Sequence, residues 1–272
     1  VQEYVAALLT KHGKQEQLLP VFEDIGWRLI HTDAFDTDSL GTFGGEVERQ
    51  LKPLDCAVKK AQIAAQLTGA PYGIGSEGSF FPSPYGFGTV NLEIIACVDN
   101  GGALVAAGAH EAPFAAYTVT LSSIRDPQLN GYLEQLPDNQ ATMVLSNKVA
   151  IAKGLANRKS IEECLRNLSS SQWNQGIELS YDLRAHYCPD RRQHIRLAAQ
   201  NLCAKLQSHC PQCDRLGFWP ETTVSGLPCE WCHQPTNLVK MRIAACRQCS
   251  FEQKMPVEAQ FASPQYCEFC NP

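Results

Sequence analysis

The sequence has no apolar run approaching the roughly 20 residues that a membrane-crossing helix needs, so no helical membrane anchor is expected. Nor does it open on a charged stretch followed by an apolar core and a small-residue cleavage site, so no secretory signal is expected. It also lacks an excess of positive charge: 23 Lys and Arg stand against 28 Asp and Glu, a formal charge of -5. Indiscriminate nucleic-acid binding needs a basic surface, and this balance argues against it. Charged residues make up only 19% of the chain and apolar ones 44%, the proportions of an ordinary globular protein. At 272 residues there is room for one sizeable domain and a small one.

What the chain does have is cysteine, 13 in all. Eight form four Cys-x-x-Cys pairs in the last 63 residues: Cys210/Cys213, Cys229/Cys232, Cys246/Cys249 and Cys267/Cys270. Each such turn puts two thiolates on one face of a tetrahedron, and a second turn completes it. Two four-cysteine zinc ribbons with two structural Zn2+ ions are therefore expected over 206–272, with the pairing of the turns left open. His209 and His233 stand beside ligands, but four cysteines per site leave them no vacancy. The remaining cysteines (Cys56, Cys97, Cys164, Cys188, Cys203) follow no pairing pattern. A chain of this size does not need disulfide staples, so a reducing compartment, the cytoplasm, is expected.

From Cys203 onward six Lys and Arg meet six Asp and Glu, so no basic face is obvious in the ribbons. Phe218, Trp219, Trp231, Phe251, Tyr266 and Phe269 suit stacking on bases, and equally suit small ribbon cores.

The front of the chain alternates strand and helix. Val5–Leu9 and Trp27–His31 read as strands around a helix over Lys14–Ile25. Leu54–Leu67 is an amphipathic helix with Ala57, Ala61, Ala64 and Ala65 on its packing side, ended by Gly69 and Pro71. A strand at Tyr72–Ser76 leads into a loop rich in Gly, Pro and aromatics. Leu92–Val98 and Ala103–Ala107 flank Asp99-Asn-Gly-Gly102, a hairpin signal. Further strands are expected at Tyr117–Leu121 and Thr142–Leu145, and helices at Pro127–Gln135, Ser160–Leu168 and Asp190–Ser208. The fold class is α/β with a mixed sheet. The domain plan is 1–175 as an α/β domain, 176–205 as a connecting segment and helix with a joint near Ser169-Ser-Ser171, and 206–272 as tandem ribbons.

Two loops carry candidate chemistry. Thr10-Lys-His-Gly-Lys14 joins the first strand to a helix, where free N–H groups and the positive helix end favour a phosphate, with Lys11 and Lys14 adding charge. The loop after the second strand holds Asp33, Asp36, Asp38, Glu46, Glu48 and Arg49 among glycines. Several carboxylates on one loop suit Mg2+ or Mn2+, and equally suit a solvated loop with Asx turns. Ser76-Glu77-Gly78-Ser79 adds a third acidic spot. Parallel strands would bring these loops to one sheet edge.

These residues resemble those of the house-cleaning nucleoside-triphosphate pyrophosphatases of the inosine/xanthosine triphosphatase type. Thr10, His12 and Lys14 stand where that family has a Thr-x-Asn-x-x-Lys phosphate cradle, one residue shorter and with His for Asn. Ala57-Val-Lys-Lys-Ala61 with Thr68-Gly-Ala-Pro71 is similar to its Asn-Ala-x-x-Lys-Ala helix and Gly-x-Pro turn, which brings in Lys60. Glu77-Gly78 resembles its metal-binding acidic turn, and Glu46 or Glu48 its preceding acid. The likeness covers about residues 5–165. The chain as a whole, with its double ribbon, also resembles an uncharacterised bacterial family known as a domain of unknown function.

Arg184, His186, Arg191, Arg192, His194 and Arg196 lie within thirteen residues and form the one dense basic segment. Arginine forks suit phosphate or carboxylate, and His186 suits proton transfer near neutral pH; an ion-paired surface between domains would use the same residues. The leading expectation is a metal-dependent hydrolase of a nucleotide or another phosphorylated small molecule. Asp36, Asp38, Glu46 and Glu77 would hold the metal, with one of them positioning water. Thr10, Lys11, His12, Lys14, Arg49, Lys60, Arg184 and His186 would meet the phosphates. The alternative is a ribbon module that docks RNA or a protein, with a front domain that senses a ligand without turnover. A weaker third reading is a nucleic-acid-modifying enzyme to which the ribbons present substrate.

Overall fold

The apolar run Tyr4–Leu9 forms β1, and from Ala6 to Leu9 no residue is more than 1% exposed. A strand covered on both faces lies inside a sheet rather than at its edge, and β1 lies between two parallel neighbours. The computed structural model describes residues 3–11, 13–37, 51–84, 86 and 88–271. They divide into two compact units, Val1–Leu202 and Cys203–Pro272. Among the described residues no helix is long and apolar enough to cross a membrane.

In the first unit β1 is followed by α1 (Gln15–Glu23), β2 (Trp27–Thr32), α2 (Pro53–Thr68), β3 (Tyr72–Pro82), β4 (Thr89–Asp99) and β5 (Leu104–Phe114). The strand order is β2-β1-β3-β4-β5. β1 is parallel to both neighbours, while β4 and β5 are added antiparallel. This is the mixed sheet expected from the sequence. The chain moves from β1 to one side for β2 and to the other for β3, so a topological switch point lies between β1 and β3.

The loop signal after Ser76 is overridden. β3 continues through Gly78-Ser-Phe-Phe-Pro82 because it pairs with β4 along its whole length, from Tyr72↔Asp99 to Pro82↔Thr89. Its pairing with β1 stops at Leu8↔Ile74. From Gly75 onward β3 therefore stands as a shelf beside the β1–α1 turn. The β4–β5 turn is the expected one: Asp99 Oδ1 accepts the Ala103 N–H at 2.9 Å, and Gly102 takes φ +80°.

Pro53 starts α2 where no N–H is needed, and Gly69 ends it in the left-handed conformation. Its small buried face (Ala57, Ala61, Ala64, Ala65) lies directly on β3. The approach needs glycine: a Cβ on Gly75 would sit 2.0 Å from the Ala57 carbonyl oxygen, and one on Gly73 would sit 1.9 Å from that of Ala61. Backbone cannot step aside as a flexible side chain can. Gly75→Ala is expected to destabilise this unit by about 3 kcal/mol or more, as overpacking at its severe end does. A fall in the urea midpoint with unchanged slope checks it.

Then come β6 (Thr118–Leu121), α3 (Gln128–Gln135), β7 (Thr142–Ser146), β8 (Val149–Leu155), α4 (Arg158–Arg166), α5 (Ser170–Asn174) and β9 (Ile177–Tyr181). These strands form their own antiparallel sheet, ordered β6-β9-β7-β8. Its core includes Leu121, Tyr132, Val144, Ile161, Leu165, Ile177 and Leu179. The serines at 169–171 start a helix: Ser169 caps α5 in a reciprocal pair with Gln172. Residues 176–205 contain β9, which pairs with both β6 and β7, then a 3-10 turn (Ala185–Tyr187) and most of α6 (Pro189–Leu206). α6 lies on β5, where a Cβ on Gly108 would meet the Leu202 nitrogen at 2.3 Å.

The second unit has one antiparallel sheet, β10 (Pro220–Ser225), β11 (Val239–Ala245) and β12 (Glu252–Pro256), in that order. The cysteine turns flank these strands.

Candidate functional site

The eight ribbon cysteines form two clusters: Cys210, Cys213, Cys246 and Cys249, and Cys229, Cys232, Cys267 and Cys270. The pairing is interleaved, first turn with third and second with fourth. In each Cys-x-x-Cys turn the N–H after the second cysteine bonds to the carbonyl of the first. These bonds are Asp214 to Cys210 at 2.9 Å, His233 to Cys229 at 3.0 Å, Ser250 to Cys246 at 3.1 Å and Asn271 to Cys267 at 2.8 Å. Asp214, His233 and Ser250 adopt φ near +60° to close the turn.

The donor set fits zinc. The Sγ atoms of Cys210–Cys249, Cys213–Cys246, Cys229–Cys270 and Cys232–Cys267 lie 3.6, 3.6, 3.9 and 3.5 Å apart. A tetrahedron with Zn–S of about 2.3 Å has edges of about 3.8 Å, whereas a disulfide would need about 2.05 Å. Four thiolates would leave a bound zinc no open position, the arrangement of a structural site.

The first unit holds a second concentration of chemistry, in its core. Glu77 and Glu93, on neighbouring strands, are 4% and 0% exposed. Strand alternation puts them on opposite faces of the sheet, because Gly78, not Glu77, pairs with Glu93. On the α2 face, Glu77 Oε2 accepts from Lys60 Nζ at 2.6 Å and from the Cys56 thiol at 3.1 Å. On the other face, Glu93 Oε1 accepts from Arg191 Nε at 2.6 Å and from Asn91 Nδ2 at 3.1 Å. Arg191 Nη1 also donates to the Leu183 carbonyl at 2.6 Å. Gly78 makes room for this pair: a Cβ there would lie 2.4 Å from both Arg191 Nη2 and Glu93 Oε1.

Lys14, at the start of α1, is 7% exposed. Its ammonium donates to Ser76 Oγ at 3.0 Å and lies 3.8 Å from Glu93 Oε2. Burial pulls its pKa down to about 8, the Glu93 carboxylate opposes this, and Arg191 adds to it. Glu77 and Lys60 also act on Lys14, so the two faces form one electrostatic cluster. Beyond it, His194 Nδ1 donates to Asn91 Oδ1 at 2.8 Å. Burial and the His110 ring, 5.1 Å away, hold His194 below the usual histidine range.

Of the residues expected at the site, Lys14 lies on the Glu93 face of the sheet while Lys60 and Glu77 pair on the α2 face, with buried Thr10 at the end of β1. Lys60 gives its ammonium to Glu77. Lys11 and Asp36 pair with each other at 2.9 Å on the exposed rim. The Arg184 guanidinium binds fully buried Asp182 at 2.6 Å and stacks 4.7 Å over Tyr187. His186 lies against the β1–α1 turn, where a Cβ on Gly13 would be 3.3 Å from its own. His12, Asp38, Glu46, Glu48 and Arg49 lie outside the described residues. Glu93 and Arg191 are the partners that sequence reasoning missed. The available signal was a single acid in the apolar run Leu92–Val98, matched by a basic segment in need of a counter-charge.

Comparison with curated proteins returns no match, and neither does comparison with solved structures. A family model does match residues 60–272, which takes in Lys60, Glu77, Glu93, Arg191 and all eight ribbon cysteines. The chain belongs to the family described as Domain of unknown function (DUF6671).

Proposed function

We propose that the first unit binds the phosphate groups of a nucleotide or a related phosphorylated small molecule at the carboxyl end of β1, and hydrolyses it with Mg2+ or Mn2+. The observation that carries this reading is the buried Lys14 ammonium beside Ser76, at the switch point where open α/β sheets hold their ligands. Desolvating a lysine is costly, and a cation kept at that cost beside a helix start is suited to an anion. Glu77 is the candidate base, with the Lys60 ammonium 2.6 Å from its Oε2. Asp36, with Asp38 and Glu46, would supply the hard oxygen ligands that a divalent ion needs. Such an ion, when bound, neutralises phosphate charge and acidifies water.

The test is a screen of the zinc-loaded full chain against nucleoside triphosphates with Mg2+ or Mn2+, reading released phosphate and pyrophosphate. Turnover is expected, with a loss of at least about 100-fold in Glu77→Gln, as removal of a general base gives. Binding of pyrophosphate without turnover would leave a phosphate sensor. Absence of both sinks the proposal.

The Lys14 pKa gives a further expectation. The ammonium is charged below about pH 8 and loses its proton above it. Pyrophosphate affinity should therefore hold steady below pH 8 and fall by up to about tenfold per pH unit above it. Calorimetry across this range checks the profile. Lys14→Met should be weak and flat throughout, and a wild-type profile flat through pH 9 would remove Lys14 from the site.

A further inference from the structure

The two zinc clusters differ in what their turns expose. Around the first, the turns read Cys210-Pro-Gln-Cys213 and Cys246-Arg-Gln-Cys249. Around the second they read Cys229-Glu-Trp-Cys232 and Cys267-Glu-Phe-Cys270. Aromatics near the first cluster are core: Phe218 is 4% exposed and packs with Phe251, rings 5.8 Å apart, beside Cys210 and Cys246. Those of the second cluster face water. Trp231 is 73% exposed and Phe269 is 69% exposed. Tyr266 and Phe261 are also among the exposed large side chains. Phe261 sits beside this cluster, its ring 5.5 Å from His233, with Ala262 accepting the Glu230 N–H at 3.0 Å. Four exposed aromatics thus border the second cysteine cluster.

Charge is divided in the same way. All six Lys and Arg of the unit lie in 203–225 and 240–256. Segments 226–239 and 257–271, which carry the second cluster, hold Glu230, Glu258 and Glu268 and no cation. The balance counted over the whole tail hides this division. Lys240, which follows the first of these segments, has its side chain beside Gly226.

We propose that the second zinc cluster is a docking surface for a protein segment that combines basic and apolar side chains. An aromatic at the tip of each metal-fixed turn offers large area at little entropic cost, the composition of an interface anchor. An acidic neighbour at each tip suits Lys or Arg and repels phosphates. Base stacking on exposed aromatics occurs in positively charged grooves, which this surface lacks, so the charge decides against a nucleic acid.

Selection of a random-peptide display library on the zinc-loaded full chain tests this. Enriched peptides are expected to carry Lys or Arg beside Leu, Met or aromatic residues. A selected peptide should bind Trp231→Ala about 30-fold more weakly, as loss of a central anchor does. It should bind Glu230→Gln/Glu268→Gln about tenfold more weakly at low salt, with a smaller salt dependence. Zinc content measured on each variant separates loss of the surface from loss of the fold, and Gln212→Ala, on the first cluster, should change nothing. Peptides without basic enrichment overturn the proposal, as do peptides indifferent to Trp231 or a library that yields no binder. Tighter binding of single-stranded oligonucleotides through Trp231 and Phe269 also overturns it.

Discussion

Cys246→Ser is expected to strip the tail of both zinc ions. Cys246 binds in the first cluster, yet the chain from Cys210 to Cys249 encloses the turn at Cys229–Cys232, and the chain from Cys229 to Cys270 encloses the turn at Cys246–Cys249. Each cluster closes a loop that contains half of the other site. The apolar core around the first cluster is small, with Cys210, Phe218, Ala244 and Cys246 as its buried members. Zinc bound at the clusters would therefore be expected to supply much of the folding energy. Structural zinc in small finger domains contributes about 10–16 kcal/mol at neutral pH, as much as a whole domain's net stability. Removing one ligand should lower the zinc content from two ions per chain toward none, and not to one, at a chelator strength that the parent chain withstands. Native mass spectrometry with thiol counting reads this directly. Cys164→Ser, remote from either cluster in sequence, should keep both ions. A stable one-zinc form of Cys246→Ser would mean that the two sites fold independently, as sequentially paired ribbons would.

That arrangement shows where local sequence stops being informative. A Cys-x-x-Cys turn is a four-residue object, so the turns and their metal were legible. Their pairing depends on contacts across more than thirty residues, so the sequence left it open. Only the likeness within each pair, Gln before the last cysteine in one and Glu-aromatic in the other, carried the interleaved answer.

The same division holds in the first unit. The α2 helix and the β4–β5 turn follow from residues a few positions apart: Pro53 and Gly69 for one, Asp99 and Gly102 for the other. The outer half of β3 was illegible because Gly78 and Pro82 are loop-like by themselves and become strand only against β4. At the candidate site, Lys14 and Glu77 stood out because they end or follow strands. Glu93 and Arg191, 98 positions apart, had no local signature as partners.

That distant pair supports the second large effect. Glu93→Gln or Arg191→Met alone is expected to destabilise the first unit by about 3–5 kcal/mol, because either leaves its partner as an uncompensated buried charge. The double variant, which removes both charges, should recover most of that loss, since a buried pair contributes far less than its breakage costs. Urea denaturation of the three variants reads the cycle. A purely structural pair would show nothing more. Here burial lowers the Lys14 pKa, Glu93 raises it and Arg191 lowers it, for a net value of about 8. Glu93→Gln should therefore move the pH midpoint of pyrophosphate binding below 8, Arg191→Met should move it above, and the double variant should return it toward the parent value. If the stability cycle appears and the midpoints stay together, the pair holds the sheet to α6 and takes no part in anion binding. If the midpoints separate in these directions, the buried charges of β4 and α6 set the pH range over which Lys14 can bind an anion.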